Sequence, residues 1–402
     1  MKLYFCLLIF CSLINQSLLA CSGFRVMRNG HVYVSFNEDW SDPNTKIWSE
    51  KGTDSTYAIV WLGYESMPRQ SAINEMGLVF DVFTVPEREV ELIDDEDFDG
   101  EKFKTDLMST CATVLEVIQF IRSYDMAQIN GAQLMFADRT GSSVIVEADT
   151  MIFQLDKDYQ IVTNFNQSQI ATQASIECKR YLTADSILNK DQRIGMEYCK
   201  NILQEISFKE CSGTQYSVIY DLTEMKIHLF LFHNFNEIHS LDVNQIFKER
   251  EIDQSLSSLF IQNSNYLAYK EAYNNGGNII KELLECNDEL VFDKLLKDLG
   301  VYSELCMLDE DLYLVAKVKL DEKQHLLHDL VVQFYYDHDI RGFAEMDLLA
   351  AQYYLRKDNF DKASYFIKSA INNREIGWYI SEEITLSDYL KLQKKIEKRK
   401  SK

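Results

Sequence analysis

The sequence predicts an α+β protein: antiparallel sheets packed with helices, followed by an all-helical C-terminal domain. Three observations predict it. Hairpin-linked strand patterns fill residues 21–236, helical periodicity takes over after about Phe247, and no proline follows Pro86 to interrupt a helix. The 402 residues allow two or three domains, and 46% hydrophobic with 26% charged residues is globular usage that excludes wholesale disorder. Lys and Arg total 41 against 63 Asp and Glu, giving a net charge of −22. A surface that acidic repels phosphate backbones and anionic lipid heads, so no nucleic-acid partner is expected.

Met1–Ala20 reads as an export signal, with Lys2 as a minimal basic end and Tyr4–Ile14 as an apolar run too short to span a bilayer. Cleavage after Ala20 would make Cys21 the new N-terminus. Two readings of that cysteine compete. Leu18-Leu19-Ala20-Cys21 resembles a bacterial lipobox, which would make Cys21 an acylated tether to the cell envelope. Alternatively, Cys21 keeps a free amine and thiol, is itself the catalytic group, and the protein is secreted or periplasmic. Membrane association is expected only in the first case.

Next come the strands. Phe24–Arg28 and His31–Phe36 alternate around Asn29-Gly30, a strong two-residue hairpin signal. Gln133–Ala137 and Ser143–Glu147 flank a turn, Tyr159–Thr163 is a further strand, and Gln215–Asp221 pairs with Lys226–Phe232. Helical patterns fall at Cys111–Ser123 and Glu177–Leu188. These divide the mature chain into a mixed strand-and-helix domain at 21–247 and a helical domain at 248–402, with breaks expected at Gly276-Gly277 and Gly300. Ala351, Tyr354, Phe360, Ala363, Ile367 and Ala370 fall on tetratricopeptide-like spacing, which suits either a helical cap or a surface for a protein partner.

Of nine cysteines, Cys6 and Cys11 would leave with the leader, and six others besides Cys21 are open to disulfide pairing. No CxxC, HExxH, P-loop, GxGxxG or GxSxG occurs, so nothing points to a metal, ATP, a dinucleotide or a serine nucleophile. His325 and His328 read as surface histidines of a helix. Glu87–Glu101 reads as a solvated acidic loop or a lid, and Asn166-Gln167-Ser168 is a glycosylation sequon.

The chemistry concentrates at Cys21. An N-terminal cysteine joins an α-amine of reference pKa about 7.7–8.0 to a thiol of about 8.5, so the amine can take the thiol proton near neutral pH. With Asn29-Gly30 as a two-residue turn, paired residue numbers sum to 59, which sets Cys21 opposite Glu38; a single bulge would bring Asp39 across instead. The bland reading is that both acids end the strand at a solvated loop.

Cys21-Ser22-Gly23 with Asn37-Glu38-Asp39-Trp40 resembles the opening of the choloylglycine hydrolase family of N-terminal nucleophile (Ntn) hydrolases, which includes bile-salt hydrolases, penicillin V acylases and, more remotely, penicillin-biosynthetic acyltransferases. Further segments resemble that family in order: Asn74-Glu75-Met76-Gly77-Leu78, Asp138–Glu147, Val162-Thr163-Asn164, Lys179-Arg180-Tyr181 and Thr214-Gln215-Tyr216. The resemblance spans about residues 21–236. It implies a four-layer αββα sandwich and a cofactor-free hydrolase that cleaves a linear, non-peptide C–N amide through a cysteine thioester. It also implies roles: Cys21 as nucleophile, Asp39 holding its amine, Asn164 facing the oxyanion, and Arg180 lowering the thiol pKa. Thr84 stands where bile-salt hydrolases carry an asparagine, and its backbone N–H would serve the oxyanion. Phe36 replaces their arginine. Taken alone, Asn164 is a turn asparagine and Arg180 an exposed helix arginine. The implied partner is a small N-acyl amide; acyl transfer, and a lipid-tethered binding protein without activity, are the alternatives.

Overall fold

The computed structural model describes residues 21–66, 69–91, 98–208, 213–249, 251–302, 308–338, 344–376 and 386–400. Residues 1–20, read from the sequence as an export leader, lie outside them, as do Cys211, Cys306 and residues 92–97 of the acidic run. The chain divides into two compact units, the first running through Ile279 and the second taking up at Ile280.

The first unit contains β1 (Ser22–Arg28), β2 (His31–Asp39), β3 (Thr45–Glu50), β4 (Ile59–Tyr64), β5 (Ser71–Asn74), β6 (Val79–Thr84), β7 (Ala132–Ala137), β8 (Ser143–Glu147), β9 (Thr150–Ile152), β10 (Tyr159–Val162), β11 (Thr214–Asp221), β12 (Lys226–Leu231), β13 (Asn234–Asp242) and β14 (Asp253–Ser255). They form a six-stranded sheet, β10-β1-β2-β11-β12-β13, and an eight-stranded sheet, β14-β3-β4-β5-β6-β7-β8-β9. Every pairing described is antiparallel, as the hairpins predict. Helices α1 (Gly100–Thr110), α2 (Val114–Ile121), α3 (Lys179–Lys190), α4 (Met196–Ile206) and α5 (Val243–Glu249) lie between them in the chain, and α6 (Ser264–Glu285) follows β14.

Three apolar clusters define the layering. Val34 and Phe36 of β2 and Val218 and Tyr220 of β11 pack with Val60 and Leu62 of β4, Ile73 of β5 and Phe83 of β6, so the sheets meet face to face. On the far side of the larger sheet, Trp61, Phe80 and Phe136 pack against Phe103, Leu107 and Val117 of α1 and α2. On the far side of the smaller sheet, Phe24, Val26, Ile219 and Phe230 pack against Ala184, Leu188, Ile202 and Leu203 of α3 and α4. The order of layers is helix, sheet, sheet, helix. Each fully buried side chain of this size contributes about 1.5–3 kcal/mol.

The β1–β2 hairpin turns as its sequence predicts. Asn29 and Gly30 take φ of 52° and 77°, the left-handed pair a type I′ turn requires, and Arg28 faces His31. Capping also follows local sequence: Thr113 and Glu116 form a reciprocal capping box at the start of α2.

The second unit is helical throughout its described residues, with the end of α6, α7 (Glu289–Leu299), α8 (Leu308–Asp321), α9 (His325–Asp337), α10 (Ala344–Arg356), α11 (Phe360–Ile376) and α12 (Leu386–Lys400). Ala344, Leu348, Ala351 and Leu355 of α10 meet Ala363, Ile367 and Ala370 of α11, the small residues allowing close approach. Asp347 ties the group together, accepting from Tyr336 Oη and from Ser369 Oγ at 2.7 Å each. Gly300 ends α7 as expected. The break expected at Gly276-Gly277 is not there: α6 runs through both glycines without interruption. Glycine costs a helix about 1 kcal/mol per residue but blocks none of its hydrogen bonds, so a 22-residue helix absorbs the pair. His328 is buried, not at the surface, with Nδ1 3.0 Å from the Ala316 carbonyl oxygen, which fixes the proton on Nδ1. Among the described residues Cys21, Cys111, Cys178, Cys199 and Cys286 are all free thiols.

Candidate functional site

Strand register places the first functional group. Ser22 pairs with Asn37, so the sum of 59 holds to the end of β1 and brings Cys21 against Glu38. Cys21 Sγ lies 3.4 Å from Glu38 Oε2 and 3.9 Å from the Asp39 carbonyl oxygen. The irregularity in the pairing of β2 lies on its other side, where the β11 register shifts between Thr214 and Tyr216. Because side chains alternate along a strand, the two acids part company. Glu38 shares the face of Val34 and Phe36, looking into the space between the sheets. Asp39 shares the face of Asn37, whose amide reaches Leu203 O of α4 at 2.9 Å.

Arg180 gathers the remaining residues. Its Nη1 donates to the Cys21 carbonyl oxygen and to Asp39 Oδ2, and its Nη2 donates to Asn164 Oδ1, each at 3.1 Å. Thr214 Oγ1 donates to the other Asp39 oxygen at 2.6 Å. Since Asn164 Oδ1 accepts from Arg180, its Nδ2 is the atom facing Thr84, donating to Thr84 O at 2.8 Å. That nitrogen carries two hydrogens, and Thr84 takes one. Five residues singled out in the sequence, Cys21, Asp39, Thr84, Asn164 and Arg180, are therefore joined through hydrogen bonds around one guanidinium. Thr84 contributes its carbonyl oxygen, while its side chain is exposed.

The electrostatics are acidic. Burial, then Glu38, Asp39 and Asp81, hold the Cys21 thiol well above its ordinary pKa. Arg180 reaches the carbonyl oxygen of Cys21, and the lowering of the thiol pKa expected of it does not appear: burial and then the carboxylates raise it. Burial pushes Asp39 up to about 7 against the pull of Arg180 and Thr214. Burial also raises Glu38, while hydrogen bonds from Asp81 and Cys21 pull it down. Asp81 is pushed well above the carboxylate range by burial and then by Glu38.

Asp81 escaped the sequence reading. It sits between Val79 and Phe83 on the inward face of β6, fully buried. The available signal was an acid in the middle of Val79-Phe80-Asp81-Val82-Phe83, where alternation demands an apolar residue. Thr214, which steadies Asp39, was visible only as the start of a strand. Two clefts of about 400 and 610 Å3 lie elsewhere on this unit, lined by Lys51 and Glu75 and by Trp48 and Arg69 respectively. Asn166, the sequon asparagine, spends its amide on Pro86 O at 2.7 Å.

No protein-family model and no curated protein matches the chain. Solved structures do resemble it. Two variants of conjugated bile acid hydrolase from Clostridium perfringens align at 15% and 16% identity, over 61% and 58% of this chain and 100% and 96% of theirs, with TM-scores of 0.46 and 0.45. Penicillin V acylase from Agrobacterium tumefaciens aligns at 15% identity over 59% of this chain and 90% of its own, with a TM-score of 0.43.

Proposed function

We propose that the chain is an exported cysteine hydrolase of the Ntn type, cleaving a linear non-peptide amide through a thioester on Cys21. The observation that supports it is the convergence on Arg180, which binds residue 21, Asp39 and Asn164 from three separate segments. A structural ion pair needs no asparagine amide and no chain terminus held in the same fork. Removal of the leader turns the Cys21 nitrogen into an α-amine of reference pKa about 7.7–8.0, suited to accept the thiol proton. The thiolate attacks the carbonyl carbon, the C–N bond breaks, the amine leaves with a proton, and water releases the acyl group. The free hydrogen-bonding capacity of Asn164 Nδ2 and the Thr84 backbone would meet the oxyanion, where one donor is worth roughly 10²–10³ in rate. The helical unit, with its tetratricopeptide-like hairpin, is proposed to offer a surface for a protein partner.

The test is a panel of N-acyl amino acids, penicillin V and conjugated bile acids against purified mature protein and its Cys21→Ala and Cys21→Ser variants. Hydrolysis by the wild type and its loss in the alanine variant support the reading; equal turnover in Cys21→Ala ends it. Intact mass of the mature protein decides the tether alternative, because a diacylglyceryl adduct on Cys21 accompanies lipoprotein processing and a free cysteine does not.

A further inference from the structure

We propose that Glu38 is a second proton acceptor for the Cys21 thiol and that Asp81 is the positioning residue that makes it one. The inference rests on Cys21 being the nucleophile and adds to the α-amine a carboxylate acting on the same proton. Glu38 Oε2 lies 3.4 Å from Sγ, the reach of a hydrogen bond from a thiol. Glu38 and Asp81 are both fully buried, and among the described residues neither carboxyl has an ion-pair partner. Two adjacent buried carboxyls cannot both ionise, so they share a proton. The groups facing them set which one keeps it. Tyr64 from β4 and Tyr216 and Tyr220 from β11 are themselves pushed far up by burial and stay neutral. Asp39, on the opposite face of β2, is paired with Arg180. Burial raises both acids; Glu38 raises Asp81 further, against hydrogen bonds from the Val82 N–H and Ser71, whereas hydrogen bonds from Asp81 and the thiol pull Glu38 part of the way back. Asp81 is therefore the protonated donor, and Glu38 the carboxylate at the sulfur.

The proton balance is closed. The Sγ proton passes to Glu38 Oε2 as the S–C bond forms and the carbonyl electron pair moves to oxygen. When the tetrahedral adduct collapses, the C–N bond breaks and the same proton leaves with the amine, restoring the Glu38 carboxylate. Negative charge moves from the Glu38 carboxylate to the oxyanion and back, so the buried site never holds an extra one.

The test is acylation of residue 21 by p-nitrophenyl acetate, followed by p-nitrophenolate release and peptide mass, on mature wild type and variants from about pH 5 to 9. It needs no knowledge of the natural substrate. Glu38→Gln is expected to slow acylation by about 10²-fold, with the circular dichroism spectrum unchanged. An unchanged rate would mean the α-amine suffices alone and overturns the proposal. Asp81→Leu removes the donor to Glu38, raises the Glu38 pKa, and should move the acid limb of the rate profile to higher pH, whereas Asp81→Asn keeps a donor and should hold the limb in place. Both limbs unmoved from wild type would remove Asp81 from the device, and this pair of variants decides the matter if Glu38→Gln fails to fold. A wild type that is never acylated at residue 21 overturns the nucleophile reading and this inference together; normal acylation by Glu38→Gln overturns only the inference.

Discussion

Arg180 stands in the first turn of α3, the end of a helix where the dipole opposes a cation, and Cys178 before it offers no side-chain cap. Its place is held by the three acceptors it binds. A lysine keeps the charge but loses the planar fork that reaches Asp39 and Asn164 together. Arg180→Lys is therefore expected to lower hydrolysis by about tenfold or more, at roughly one 1.4 kcal/mol step per decade, measured as kcat/KM on the best substrate of the panel. The buried acids make a second prediction. Asp39 is raised to about 7, and Glu38 and Asp81 are raised above their ordinary values, so the native chain holds protons that the unfolded chain releases from about pH 4 upward. Where the native state binds more protons, stability falls as pH rises. The melting temperature should decline between about pH 4.5 and 7.5, and Asp81→Asn should reduce that decline, gaining about 1 kcal/mol, or roughly 2–4 °C, at the upper end. A wild-type melting temperature that climbs across this range would contradict the assignment. A motif series singled out Cys21, Asp39, Asn164 and Arg180, and the structure brings these four together. Asp81 was not singled out, since an acid in one strand has meaning only beside the acid of another.

Among elements, the β1–β2 hairpin does most to place the site. Gly23 lies so close to its neighbour strand that a Cβ would stand 2.2 Å from Phe36 Cδ1 and 2.9 Å from Ser35 O. Gly23→Ala should cost about 1–3 kcal/mol by overpacking and, by shifting the start of β1, lower acylation of Cys21; calorimetry and the ester assay read the two effects separately. The hairpin register was readable from Asn29-Gly30, and so were the pairs β7–β8 and β11–β12, each marked by turn residues and alternation. Strands β4 and β5 were harder. Both are buried on both faces, Ile59–Tyr64 and Ser71–Asn74 without an exposed position, so no alternation betrays them. Local glycine content misled in α6 for a related reason: a propensity of about 1 kcal/mol per residue is easily outweighed by the rest of a long helix.

At the scale of the whole molecule, the chain carries a net charge of −22, and the site is itself built from carboxyl groups. Anionic substrates are then repelled at long range and cationic ones drawn in, and added salt weakens both effects. Raising ionic strength should increase kcat/KM for an anionic N-acyl amino acid and decrease it for a cationic amide; identical salt responses would show that the field does not reach the site. Composition, hairpin turns and helical spacing sufficed for the α+β class, the antiparallel pairing and the helical end of the chain, because each rests on neighbours a few residues apart. The tertiary structure alone decided that Glu38 faces the sulfur while Asp39 faces Arg180, and that Asp81 completes a carboxyl pair with Glu38. Those facts depend on which faces of which strands meet, and burial gives a carboxyl group its chemistry only after the sheets have closed over it.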